Sequence, residues 1–224
     1  MSNQPDRKHD KLLDREPVNG WLHFGGALLA AVGLVALAIV ASEQQSWRHM
    51  TGAVVFGTSA LLMFAASANY HLTRGSIRES LYRRLDHSMI YVFIAGTFTP
   101  VCLVALEGSP LAIPLLITIW VLALLGVTQK LTVQSFPRRF GTVLYLALGW
   151  LGMMAAPVLL RTSQGKLLIW LLVGGLLYTA GSVFYWAKWP RGSPGRFGFH
   201  ELWHVFVLAA SGSHYWAVMA YIIT

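Results

Sequence analysis

Charge is scarce in this sequence. Asp, Glu, Lys and Arg make up 12% of its 224 residues, about half the share found in a soluble globular domain. With 55% hydrophobic residues and a mean hydropathy of +0.55, that shortage excludes a water-soluble fold of this size and points to the bilayer. Cysteine is nearly absent. The single Cys102 excludes an intramolecular disulfide and any cluster of thiolates, so a metal would have to be held by His and carboxylate. Acidic residues are outnumbered, 9 against 17 Lys and Arg, but cations flanking apolar runs are ordinary topology signals and no nucleic-acid partner is needed to explain them. Internal repeats, low-complexity tracts and long polar segments are also missing, which leaves no room for a separate extramembrane domain.

What is there is a series of long apolar runs. Measured against the roughly 20 residues a helix needs to cross a bilayer, seven stretches qualify: Trp21 to Ser42, Met50 to Leu72, His87 to Leu106, Leu111 to Gln129, Phe140 to Leu160, Leu167 to Ala187 and Phe199 to Thr224. The expectation is an all-α integral membrane protein, a seven-helix bundle over residues 21–224 preceded by a polar tail over 1–20. The first run exceeds the 7 to 15 residues of a secretory signal core and is read as a span. Lys and Arg set the orientation. Four lie in the N-terminal tail, four in the second loop (Arg74, Arg78, Arg83, Arg84), three in the fourth (Lys130, Arg138, Arg139) and three in the sixth (Lys188, Arg191, Arg196), leaving only Arg48, Arg161 and Lys166 for the other side. The positive-inside rule then places the N-terminus in the cytosol and the C-terminus outside. Pro100 and Pro157 fall within spans and are expected to kink them. In "SIRESLYRR" Ile77, Leu81 and Leu85 form one stripe, which reads as a short amphipathic helix lying on the anionic leaflet ahead of the third span.

Odd spans run outward and even spans inward, so residues far apart in sequence arrive at one depth. His23, His71, His87, His200 and His204 all fall at cytosolic span ends, and Asp86 joins them. His200 and His204, four apart, share a helical face with Cβ atoms about 5 to 6 Å apart, a spacing that lets two imidazoles reach one zinc ion. His71 supplies a third. Three imidazoles leave a fourth position open, as catalytic zinc sites do, and ionisable groups within spans are costly enough to imply a function. "HELWH" also matches the HExxH of metalloproteases, but such intramembrane enzymes take a later acidic ligand and no helix follows the seventh span. The motif is therefore read as HxxxH with an incidental Glu201. His214, in mid-span, is read as packing internally.

The ordered motifs "EPVNGWLH", "SANYH", "RRLDHS", "HELWH" and "SGSHYWA" resemble those of the progestin and adipoQ receptor family, in particular its bacterial hemolysin III branch, over Glu16 to His214. The resemblance implies a zinc ion near the cytosolic leaflet held by His71, His200 and His204, with Asp86 as partner of the metal's water. It matches Ser67, one turn before His71, to the family's serine, and Glu16, Asn19 and His23 to its first motif, to which no chemical step is assigned. The same resemblance implies a hydrolase of a lipid amide or ester, with membrane lipids as partners, in a multi-pass protein of the bacterial inner membrane concerned with membrane homeostasis.

Alternatives stay open at this level. The bundle could be a non-enzymatic sensor whose zinc is structural and closed by a fourth ligand such as His87, a pore-forming haemolysin, or an HExxH protease. Asp86 could serve as the N-cap of the third span, and Ser67 could bond back to its own helix.

Overall fold

The computed structural model describes residues 17–133, 138–191 and 197–224, with the side chains of residues 138 and 139 excepted. Among these residues the regular structure is helical throughout, and seven helices are long and apolar enough to cross a membrane: α1 (Pro17–Glu43), α2 (Trp47–Leu72), α3 (Glu79–Ala105), α4 (Ala112–Thr132), α5 (Phe140–Arg161), α6 (Gly165–Ala187) and α7 (Phe199–Ile223). Helices adjacent in sequence are adjacent in space, and α7 closes the bundle against α1. Such closure follows from short connections, since only three residues separate α1 from α2.

The chain is a multi-pass membrane protein, and its surface shows why. Large apolar side chains such as Leu29, Val32, Ile39, Leu125 and Leu176 are exposed, where lipid tails solvate them without cost. Lipid is as apolar as leucine, so helices associate through close packing and interhelical hydrogen bonds rather than hydrophobic exclusion. Small residues make that approach possible. A Cβ on Gly96 of α3 would lie 2.7 Å from the Ser59 Cβ of α2, and one on Gly26 of α1 would lie 2.8 Å from Phe64 of α2 and from Leu208 of α7. Hydrogen bonds tie the remaining helices. Trp120 Nε1 donates to Thr99 Oγ1 (3.2 Å), Trp150 Nε1 to Thr179 Oγ1 (3.1 Å) and Ser213 Oγ to the Trp170 carbonyl (2.8 Å), while the Tyr178 and Ser211 hydroxyls meet at 2.9 Å. His214, packed on Gly174, lies 3.2 Å from the Leu171 carbonyl through Nε2.

Pro100 and Pro157 coincide with changes of helical pitch. After Pro100 the last turn of α3, Val101–Ala105, is π-helical, and a 3₁₀ stretch, Leu151–Ala155, precedes Pro157 in α5. A ring without an N–H cannot complete the α ladder, so the backbone rearranges beside it.

Four helices begin earlier than the apolar runs, α1, α2, α3 and α6, and the starts of α1 and α3 move the furthest. α1 is already helical at Pro17, inside the stretch read as tail, because Asn19 and Gly20 are buried; Gly20 lies against Leu72 at the end of α2. Proline suits a first helical turn, where its missing N–H is no loss. α3 begins at Glu79 and runs unbroken into the span, so the segment expected as a separate surface helix supplies the first two turns of α3. This also removes Asp86 from the N-cap position: it lies eight residues into the helix and is 9% exposed.

Candidate metal centre

Three helix ends build the site. α2 finishes with Ser67 and His71, α3 carries Asp86 in its third turn, and α7 starts with His200 and His204. These three helices are also the most enclosed, with 50%, 67% and 44% of their most apolar windows buried against 28% or less for the others. The groups that need shielding from lipid are thus on the helices that have it.

The ring centroids of His71, His200 and His204 form a near-equilateral triangle with sides of 4.8, 4.9 and 5.1 Å. One ligand nitrogen from each lies within 4.8 Å of the other two. Two nitrogens on one zinc ion lie no more than about 4.2 Å apart, so small ring rotations would suffice for all three to share a metal. His71 and His204 are almost wholly buried, while His200 is half-buried.

His204 supplies the sharpest test of that fit. Its Nδ1 lies 2.7 Å from His23 Nε2 of α1, an imidazole that is itself 2% exposed. Its Nε2 is buried with no hydrogen-bond partner among the described residues. Leaving a buried polar atom unsatisfied costs about 1–3 kcal/mol, and a metal ion is a natural partner for a nitrogen whose ring is already oriented from the other side. If Nε2 is the ligand atom, Nδ1 carries the proton and donates it to His23. His23 thereby gains a structural role that sequence reading had left without a step; only the close packing of α1 against α7 brings the two rings to a centroid distance of 4.1 Å.

The other candidates divide. Asn19 is fully buried one turn before His23, and Glu16 lies outside the described residues. Ser67 is buried and faces the same cavity as His71. Among the described residues it forms no hydrogen bond to its own helix, unlike Ser59, Thr97 and Thr99. His87 lines the cavity but does not belong to the group of nitrogens that could share an ion; its carbonyl accepts the Tyr145 hydroxyl at 2.9 Å. Glu201 has work of its own. Its Oε2 accepts the Gly198 N–H at 2.9 Å, capping the start of α7.

Ser67, His71, Asp86, His200 and His204 open onto one cavity of about 770 Å³. It follows α7 from His200 to His214, about 21 Å of helical rise at 1.5 Å per residue. Most polar groups gather at the histidine end, whereas the far part is walled mainly by Phe98, Val101, Met153, Leu168 and Leu172, with Thr97, Tyr178 and His214 as its polar members.

The family model described as haemolysin-III related matches residues 12–215. Hemolysin-3 of Bacillus cereus is 35% identical over 217 residues, which cover 95% of this chain and 94% of that protein. The human monocyte to macrophage differentiation factor is 29% identical over 203 residues, 84% of this chain and 80% of the relative. A rice protein, heptahelical transmembrane protein ADIPOR2, is 32% identical over 181 residues, 74% of this chain and 79% of its own length.

Proposed function

The chain belongs to the haemolysin-III related family, and from that premise we propose that it is a zinc-dependent hydrolase. In this reading it cleaves the amide or ester linkage of a membrane lipid at the cytosolic face of the bacterial inner membrane and serves membrane homeostasis. The observation that carries the reading is the cavity, in which one continuous space joins three convergent imidazoles and a buried carboxylate to a long apolar sleeve. That combination suits a substrate with a polar linkage and an acyl chain.

His71, His200 and His204 would hold the ion, with His23 setting the tautomer of His204. A zinc ion so held supplies a Lewis acid for a carbonyl and makes water a nucleophile near neutral pH. Asp86, on the neighbouring helix and facing the same space, accepts the proton released as water attacks. The apolar sleeve orients the acyl chain and keeps bulk water from the reacting linkage. Orientation follows from charge: Arg74, Arg83, Arg84 and Lys130 line the cavity beside the histidines, and the positive-inside rule assigns that end to the cytosol. The lytic sense in the name of the Bacillus cereus relative is not carried over to this chain, because the cavity beyond the histidine cluster is lined mainly by apolar side chains.

Asp86→Asn separates catalysis from metal binding. Purified wild-type protein should contain stoichiometric zinc, and cells expressing it should show lipid turnover that the variant lowers by about 100-fold or more while keeping its zinc. Lipidomics paired with metal analysis reads both. Unchanged lipid profiles, or X-ray absorption showing four nitrogen ligands and no open position, would assign the ion a bracing role instead.

A further inference from the structure

Beside the histidines the cavity wall is cationic. Arg74, Arg83, Arg84 and Lys130 all line it, and Asp86 is the one carboxylate among its described lining residues. Membrane topology accounts for cations at this end of the bundle, but it requires only that they face water. Lys130 does more than that. It sits within the last turns of α4, half-buried, with its ammonium 5.7 Å from the centre of the Tyr145 ring on α5. The same ammonium lies over Gly141, where a Cβ would come within 2.9 Å of it. A glycine at that position is what leaves space for the charge. Arg84 is half-buried too, and one Nη1 hydrogen bond to the Leu131 carbonyl at 2.9 Å holds its guanidinium beside the end of α4. That bond uses one of five N–H donors.

Helices α3 and α4 therefore present positive charge to one partly enclosed volume. Arg83 is exposed at the mouth of that volume and Arg84 and Lys130 are half-buried; like charges facing one space repel, and an anion placed among them lowers that cost. Phosphate oxygens match both kinds of donor, accepting from a guanidinium fork and from a point-charge ammonium. We propose that this wall is a headgroup subsite that selects lipids whose phosphate headgroup carries net negative charge, seated between α3, α4 and α5 while the acyl chain lies along α7. The proposal rests on the lipid-substrate reading above and narrows it to anionic lipids.

Binding rather than turnover tests it. Zinc-loaded full-length protein in neutral detergent is given a fluorescent single-chain lipid, which is displaced by lysophosphatidic acid, lysophosphatidylcholine, a monoacylglycerol or inorganic phosphate. Lysophosphatidic acid should compete about tenfold or more better than the other two lipids, and the advantage should shrink as salt is raised from 0.1 to 0.5 M. Arg83→Gln and Lys130→Gln should each reduce it severalfold with bound zinc unchanged. If either variant fails to fold, the wild-type salt dependence decides alone. Equal competition by the three lipids, or a preference indifferent to salt, overturns the subsite. Displacement by inorganic phosphate at the concentrations effective for lysophosphatidic acid would assign the wall to the soluble ion and also overturn it. A protein that hydrolyses lipid without charge preference sinks only this inference, whereas charge-selective binding without hydrolysis sinks only the enzymatic reading.

Discussion

His204 is the residue on which the site turns, because its two ring nitrogens face different partners. Nδ1 meets His23 at 2.7 Å, which leaves the buried Nε2 for an ion. Outer partners of this kind usually change metal affinity by about 10- to 100-fold when removed. His23→Ala should therefore weaken zinc binding by that factor, measured by competition with a chromophoric chelator, while the helical circular dichroism stays intact. An unchanged affinity would mean that His23 merely packs. Glu201 shows the opposite relation between motif and role. Its place in HExxH suggests a general base, yet its carboxylate is engaged with the Gly198 N–H. Sequence spacing identifies neighbours on a helix face but not which backbone group a side chain has already taken.

At the scale of the element, α3 carries the largest consequences. It extends two turns beyond its apolar run, and that extension makes Asp86 an interior residue facing the cavity. The helix sits close to α2 because small residues line the crossing, with Gly96 against Ser59 and Gly52 against Pro100. A methyl at position 96 would lie 2.0 Å from Ser59 Oγ and 2.7 Å from its Cβ. Rotation of the hydroxyl relieves the first clash but not the second, so Gly96→Ala should destabilise the protein by about 1–3 kcal/mol. Thermal unfolding in detergent should show the loss, and Ser59→Gly in the same chain should recover most of it. A Gly96→Ala protein as stable as wild type would show that the two helices can separate freely. Asp86 and His71 stand on these two helices, so the same variant should also loosen the metal centre.

The molecule as a whole sorts its loops by end. Gln44 Nε2, just after α1, donates to the Thr224 carbonyl (3.0 Å), and Arg48 is ion-paired with Glu107 after α3. These contacts gather the first loop, the third loop and the C-terminus at the end opposite the histidines. A thiol-labelling experiment checks which end meets the cytosol, and the native Cys102 is buried and should stay silent. Ile77→Cys should react with a membrane-impermeant maleimide only in inside-out vesicles, and Glu43→Cys only in intact cells after outer-membrane permeabilisation. The reverse pattern would put the proposed catalytic face outside the cell.

Hydropathy counted the spans, because burying a bare backbone in lipid is so costly that each crossing needs its own run of about 20 apolar residues. Alternation of direction then brought His71, His200 and His204 to one level, and the i, i+4 spacing put the last two on one face. Those inferences need only one dimension, depth, and the sequence alone suffices for them. Lateral position and helix rotation are different quantities. They depend on which small residues allow which pairs of backbones to approach, and that is a property of pairs distant in sequence. Hence the tertiary structure alone decided that His23 meets His204, that α3 begins at Glu79, that Lys130 lies over Gly141, and that the histidines open onto an apolar sleeve.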